Sequence, residues 1–190
     1  MAGLTSSQTV GPFFHEALLR DGQSTLVKPQ TRGERIAIEG QVTDGAGVPI
    51  TDAMIEIWQA NGACRYDHPA DTQDKPVDPA FHGFGRAATD KTGHYRFDTI
   101  RPGAVPGRGN SLQAPHIAVT IFTRGLLLHL TTRLYFAGEA LNDTDPVLAL
   151  VADEAARRTL IATPVADAAI PTYRFDIRLQ GDSETVFFEI

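Results

Sequence analysis

Glycine and proline interrupt this chain so often, 17 and 12 times in 190 residues, that the apolar segments between them are short. Such punctuation suits many short strands joined by turns and leaves little room for long helices. Arg35 to Val42 alternates apolar and polar residues through Ile36, Ile38 and Val42, then breaks at Asp44-Gly45-Ala46-Gly47. Ala53 to Gln59 alternates again, with Met54 and Glu56 on one face and Ile55, Ile57 and Gln59 on the other. The two runs and the glycine turn predict neighbouring strands, although their connection is too long for a two-residue hairpin. Further strands are expected at Gly85 to Thr89, His94 to Ile100, His116 to Phe122, Leu127 to Phe136, Tyr173 to Leu179 and Thr185 to Glu189. About eight short strands at this spacing predict an all-β fold, a β-sandwich of two antiparallel sheets with long loops and one or two short helices. The helices are expected after Asp145-Pro146, an N-cap followed by proline at the first helical position, and from Asp153 to Arg158.

The length fits one domain. We divide it into an arm and loop, residues 1–34, expected to contact a partner, and a β-sandwich domain, residues 35–190. Lysine and arginine number 17 against 23 acidic residues, a net charge of -6 with no block of one sign. That balance argues against nucleic acid or an anionic membrane as partner. The single cysteine, Cys64, excludes an internal disulfide framework and a thiolate-built cluster from this chain alone. Met1 to Pro12 lacks a basic start followed by an apolar run, and the most apolar stretch, Gly125 to Leu134, is broken by His129, two threonines and Arg133. The expectation is a cytoplasmic protein.

Two segments fall outside the strand pattern. Gly62 to Phe84 reads as a long irregular excursion, the kind of loop that commonly carries function. Ser6 to Phe14 reads as an extended arm, polar then aromatic, that needs something to lie against. Phe13, Phe14 and Phe187-Phe188-Glu189-Ile190 are candidates for an interface or for the core.

The side chains offer few local motifs. No two of the six histidines, at 15, 68, 82, 94, 116 and 129, are spaced for local chelation, although His116 and His129 could face one interior. Arg65-Tyr66-Asp67-His68 invites a hard-metal reading, but a loop tyrosine with solvated neighbours is the favoured one. Cys64 beside Arg65 lacks a visible base, and Arg124 at a strand end can offer its fork to a carboxylate. No serine stands in a glycine elbow, and neither a phosphate loop nor a dinucleotide fingerprint is present. Residue chemistry alone reaches an all-β, binding-competent domain.

Ile38-x-Gly40-x-Val42, Gly45, Gly47, Val48, Ile55-Glu56-Ile57-Trp58-Gln59-Ala60 and Tyr66 together resemble the intradiol ring-cleavage dioxygenases. The likeness continues through Phe84-Gly85-Arg86, Gly93-x-Tyr95-x-Phe97, Ile100-Arg101-Pro102-Gly103 and Pro115-His116-Ile117. Ser7-Gln8-Thr9-x-Gly11-Pro12, Phe122-x-Arg124-Gly125, Thr132-Arg133-Leu134-Tyr135-Phe136 and Tyr173-Arg174-Phe175-Asp176-Ile177-Arg178 look like the α-type chain of the family's two-subunit members. The resemblance implies cleavage of protocatechuate by O2 to 3-carboxy-cis,cis-muconate, in a hetero-oligomer whose homologous β subunit holds non-haem Fe(III) through two tyrosines and two histidines.

Aligned through those motifs, Tyr66 keeps the family's first tyrosine position and Val105 stands at the second. His116 keeps the first histidine and Ala118 replaces the other, while Gln113 stands where the family has an arginine. Cys64 replaces a glycine. The resemblance therefore implies a vestigial, metal-free site and no catalytic residue in this chain. It gives Thr9, Gly11, Pro12 and Arg124 as substrate-binding contributions to the partner's site. Two other readings fit the same residues: a self-sufficient dioxygenase using Tyr66 and His116, and a non-catalytic β-sandwich interaction module.

Overall fold

The computed structural model describes residues 17–189. Alternation becomes strand wherever its apolar face meets a core: β1 (Arg35–Thr43), β2 (Met54–Trp58), β3 (Phe84–Ala88), β4 (His94–Ile100), β7 (His116–Phe122) and β8 (Leu130–Phe136) follow the expected segments. Sequence reasoning misses β5 (Val105–Pro106), β6 (Leu112–Gln113) and β9 (Ile161–Pro164). The segment Tyr173 to Leu179 divides into β10 (Thr172–Arg174) and β11 (Ile177–Arg178), and Thr185 to Glu189 forms no strand. The all-β class stands.

Hydrogen bonding follows the order β3-β2-β7-β8-β9-β10-β1, with β11 continuing beyond β10 on the same side of β1 and β4 on its other side. Gln23 and Ser24 accept from the Arg86 and Asp98 amides, so the chain before β1 stitches β3 to β4 and nearly closes the sheet. This departs from the expected pair of antiparallel sheets. The pairs β1/β10, β1/β11 and β8/β9 are parallel, so the sheet is mixed, with β5 and β6 forming a separate ribbon. A parallel neighbour needs a long crossover, and residues 137–160 supply it between β8 and β9.

That crossover holds the short helices. Asp145 accepts from the Val147 and Leu148 amides at the start of the 3-10 turn Leu148–Leu150, and Asp153 caps α1 (Glu154–Arg158) through the Ala156 amide. The expected adjacency of β1 and β2 is corrected. Each pairs elsewhere, β1 with β4 and β10, β2 with β3 and β7, and the connection between them turns on Asp44 and runs through residues 44–52, which are exposed or half-buried.

The main core lies inside the sheet, where Ile36, Ile38, Ile55, Phe97, Ile117 and Ile121 are buried together. Burying each such side chain is worth about 1.5–3 kcal/mol. Leu26 and Thr31 are buried as well, so part of the segment 1–34 is packed on the domain. Phe187 packs on the main core and Phe188 on a smaller cluster of Ala114, Tyr135, Leu148 and Leu160. Phe13, Phe14 and Ile190 lie outside the described residues.

Candidate functional site

With the inner faces of β2, β7 and β8 given to the core, their outer faces carry polar chemistry. Residues directly opposite in adjacent strands share a face. The register therefore runs Phe84, Trp58, Ala118 and Arg133 in one row and places His116 against Tyr135 in the next. Over this face lies the loop after β2, whose Tyr66 ring stacks on Trp58 at 5.7 Å between centroids. The β5/β6 ribbon brings Val105 and Gln113 opposite each other. Trp58, Tyr66, Asp71, Gln73, Val105 and Pro106 line a cavity of about 410 Å³. The structure thus assembles Tyr66, Val105, Gln113, His116 and Ala118 from four separate segments.

The excursion from Gly62 to Phe84 has little regular structure yet is densely bonded. Asn61 Oδ1 accepts from the Ala63 and Arg65 amides, and Arg65 donates to the Lys75 and Asp71 carbonyls. Asp71 accepts from the Tyr66 amide, which holds Tyr66 over the sheet. Cys64 adopts φ 67°, the left-handed region that its glycine counterpart enters freely and a side chain enters at a cost of roughly 1–2 kcal/mol.

His116 is buried, and its Nδ1 lies 2.7 Å from the Ala114 carbonyl. A carbonyl only accepts, so Nδ1 carries the proton and Nε2 presents its lone pair to the Tyr66 hydroxyl, 3.5 Å away. Burial first, and the Arg133 guanidinium second, push the imidazole down to about 4. Burial likewise raises the phenols of Tyr66 and Tyr135 against the opposing pull of Arg133. The cluster is a set of neutral side chains beside one cation, Arg133, with the Asp71 and Asp145 carboxylates bonded to the Tyr66 amide and the Tyr135 hydroxyl. Arg133 Nη1 donates to Gln113 Oε1 at 2.6 Å, and Gln113 Nε2 donates to the Pro106 carbonyl.

A pH prediction follows from the neutral ring. The unfolded chain protonates His116 near the ordinary value of 6.5 and the folded chain only near 4, so the unfolded state binds more protons between them. This contribution is complete above pH 6.5 and is lost as pH falls toward 4, on the order of 3 kcal/mol in all. His116→Gln is expected to flatten that limb of the stability curve in urea titrations at successive pH values. An unchanged slope would mean that His116 does not cause it.

The remaining sequence candidates lie elsewhere. Arg124 follows the far end of β7, about 20 Å along the strand from His116 at some 3.3 Å per residue, and its side chain is 81% exposed and ion-paired with Asp52. His129 stacks on Phe122 at that same far end, so His116 and His129 do not share an interior. In Arg65-Tyr66-Asp67-His68 the groups diverge: Asp67 pairs with His82 at 2.6 Å, while His68 accepts from the Ala70 amide. Thr9, Gly11 and Pro12 lie outside the described residues.

A dioxygenase family model matches residues 9–181. The chain belongs to the intradiol dioxygenase family. Among curated relatives of this intradiol dioxygenase, the protocatechuate 3,4-dioxygenase alpha chain of Pseudomonas putida is 40% identical over 97% of this chain and 96% of its own. The protocatechuate 3,4-dioxygenase beta chain of Burkholderia cepacia is 36% identical over 97% of this chain and 79% of its own. The dioxygenase domain of a carbohydrate-binding fusion protein from Streptomyces sp. SirexAA-E superposes with a TM-score of 0.63 and 29% identity, over 83% of this chain and 87% of the other.

The family's non-haem Fe(III) does not fit the residues present in this family member. At the four positions that the resemblance gives to the iron ligands, Tyr66 and His116 have a donor atom in the side chain and Val105 and Ala118 have none. The two donor atoms present, the Tyr66 hydroxyl and His116 Nε2, lie 3.5 Å apart. Sequence reasoning missed Arg133 as part of this site. Its signal was available as a lone charge inside the apolar segment Leu130–Phe136, but the β7/β8 register was needed to aim it.

Proposed function

We propose that this chain is the α-type subunit of a cytoplasmic protocatechuate 3,4-dioxygenase, acting in a hetero-oligomer whose homologous β subunit holds the ferric iron. The observation that carries the reading is the pairing of retained and lost positions in one assembled site. Tyr66 and His116 are kept at 3.5 Å, while Val105 and Ala118 have no donor atom. A chain so equipped contributes to ring cleavage only beside a second chain whose site is whole. Relatives named as alpha and beta chains support such a division of labour. The net reaction adds O2 across the bond between the two hydroxylated carbons of protocatechuate, giving 3-carboxy-cis,cis-muconate.

This chain supplies surroundings instead of chemistry. Thr9, Gly11 and Pro12 would lie along the wall of the partner's site, where glycine permits close backbone approach and proline fixes the path. Arg124 would favour arrival of a carboxylate-bearing substrate. Leu127 and Leu128, 64% and 67% exposed in the turn beside it, are apolar surface suited to a protein partner. The ion pair joins an Arg124 side chain that is 81% exposed to an Asp52 side chain that is only 22% exposed. In the assembled enzyme, Arg124→Ala is expected to raise KM for protocatechuate about threefold to tenfold at low salt, and less at high salt, with kcat preserved. An unchanged KM at every ionic strength would end the steering role.

The deciding experiment expresses the full chain alone and with a β-type chain, then measures bound iron and oxygen uptake with protocatechuate. The reading predicts an iron-poor, inactive chain alone and an active, iron-containing complex. Iron and ring cleavage in the chain alone would establish a self-sufficient enzyme. No activity in the complex would leave an interaction module.

A further inference from the structure

We infer that the Arg133 guanidinium is the resident cation of the Tyr66–His116 site, replacing the metal ion's charge and keeping that site closed to metal. The inference rests on the reading of this site as a degenerate iron site. The β7/β8 register sets Arg133 directly opposite Ala118, the position that has lost an imidazole. Directly opposed residues of an antiparallel pair have Cβ atoms about 5 Å apart on one face. A long arginine facing a methyl group fills space that a histidine would need.

The guanidinium is held there by specific partners. Nη1 donates to Gln113 Oε1 at 2.6 Å and to the Tyr135 hydroxyl at 3.5 Å. Gln113 is itself fixed by its bond to the Pro106 carbonyl, and Tyr135 by its bond to Asp145. Tyr66, His116 and Tyr135 all feel the positive charge, so it bears on both retained donors at once. The His116 Nε2 lone pair, which a metal would take, faces the Tyr66 hydroxyl. A ferric ion entering this cluster would meet a fixed like charge as well as two missing donors.

Restoring the donors alone therefore should not restore metal binding. The test compares the unmodified full chain, V105Y/A118H, and V105Y/A118H combined with R133Q or R133M. Each is offered ferric citrate, and bound iron is measured by elemental analysis together with tyrosinate-to-iron absorption in the visible. Gln and Met are independent neutral replacements, so one folded variant suffices, and thermal melts identify it. V105Y/A118H is expected to remain nearly iron-free. Neutralising Arg133 as well is expected to raise ferric affinity at least about a hundredfold and to produce the absorption band.

Equal iron uptake by V105Y/A118H and its Arg133-neutralised forms overturns the inference alone. So does a folded neutralised variant that stays as iron-poor as V105Y/A118H. Iron held by the unmodified chain overturns both this inference and the functional reading beneath it.

Discussion

Asp145→Ala is expected to lower the thermal midpoint by about 10 °C, through loss of about 3–5 kcal/mol. Asp145 is 1% exposed, and its carboxylate is a junction for separate parts of the fold. Oδ2 accepts from the Ala114 amide at 2.7 Å. Oδ1 accepts from the Val147 amide at 2.8 Å, the Leu148 amide at 2.9 Å and the Tyr135 hydroxyl at 3.2 Å. Alanine would strand these donors inside the protein, and a buried donor without a partner costs about 1–3 kcal/mol. The damage reaches the site, because the Ala114 peptide also presents the carbonyl that fixes the His116 ring. Asp145→Asn keeps one acceptor oxygen but turns an amide NH2 toward other donors, so an intermediate loss is expected. Calorimetry on both variants checks the order. A loss below about 1 kcal/mol for alanine would show that water can replace the carboxylate.

The sequence reading identified Asp145 only as a helix cap. That part is local and legible, since Asp-Pro before an apolar run carries its own signal. The bonds to Ala114 and Tyr135 span 31 and 10 residues and leave no mark on periodicity. The same division explains the strands. Alternation states which residues face inward, and β1, β2, β4, β7 and β8 were legible on that basis. It does not state which strand lies alongside, so the adjacency of β1 and β2 failed. Strands β5, β6 and β9 are short, and Pro106 and Pro164 disguise two of them.

Thr185 to Glu189 has the composition of a strand but is held differently. Phe188 donates its amide to the Thr131 carbonyl, and the Val186 carbonyl accepts from the Thr132 hydroxyl. At the site, the resemblance to the family's motifs brought Tyr66, Val105, His116, Ala118 and Gln113 into view as a set. Arg133 stayed hidden because its part depends on cross-strand register, a long-range property.

The break between β10 and β11 leads to the other large expected effect. Tyr173, Phe175, Ile177 and Leu179 alternate without interruption and read as one strand. In the structure the chain bulges at Phe175-Asp176 over Gly40 of β1. Phe175 donates its amide to the Glu39 carbonyl, and the Asp176 carboxylate accepts from the Gln41 amide. The Phe175 carbonyl accepts from the buried Tyr95 hydroxyl at 2.6 Å. A Cβ at position 40 would overlap that carbonyl and lie 3.1 Å from the Tyr95 oxygen. Glycine is required here for close approach of two backbones.

Gly40→Ala must therefore push Phe175 outward, breaking the Tyr95 bond and straining the β1/β11 pairing at Val42 and Ile177. Overpacking of about 1–3 kcal/mol and a buried hydrogen bond of similar size together predict a loss of about 4 kcal/mol. Tyr95→Phe removes the hydroxyl but not the room, so it should cost only about 1–2 kcal/mol. Because both changes strike one contact, the double variant is expected to lose less than the sum of the single losses. Urea unfolding of the three variants measures that coupling. Strict additivity, or a Gly40→Ala variant within about 1 kcal/mol of the parent, would mean that the bulge yields freely and that Gly40 does not fix the path from β10 to β11.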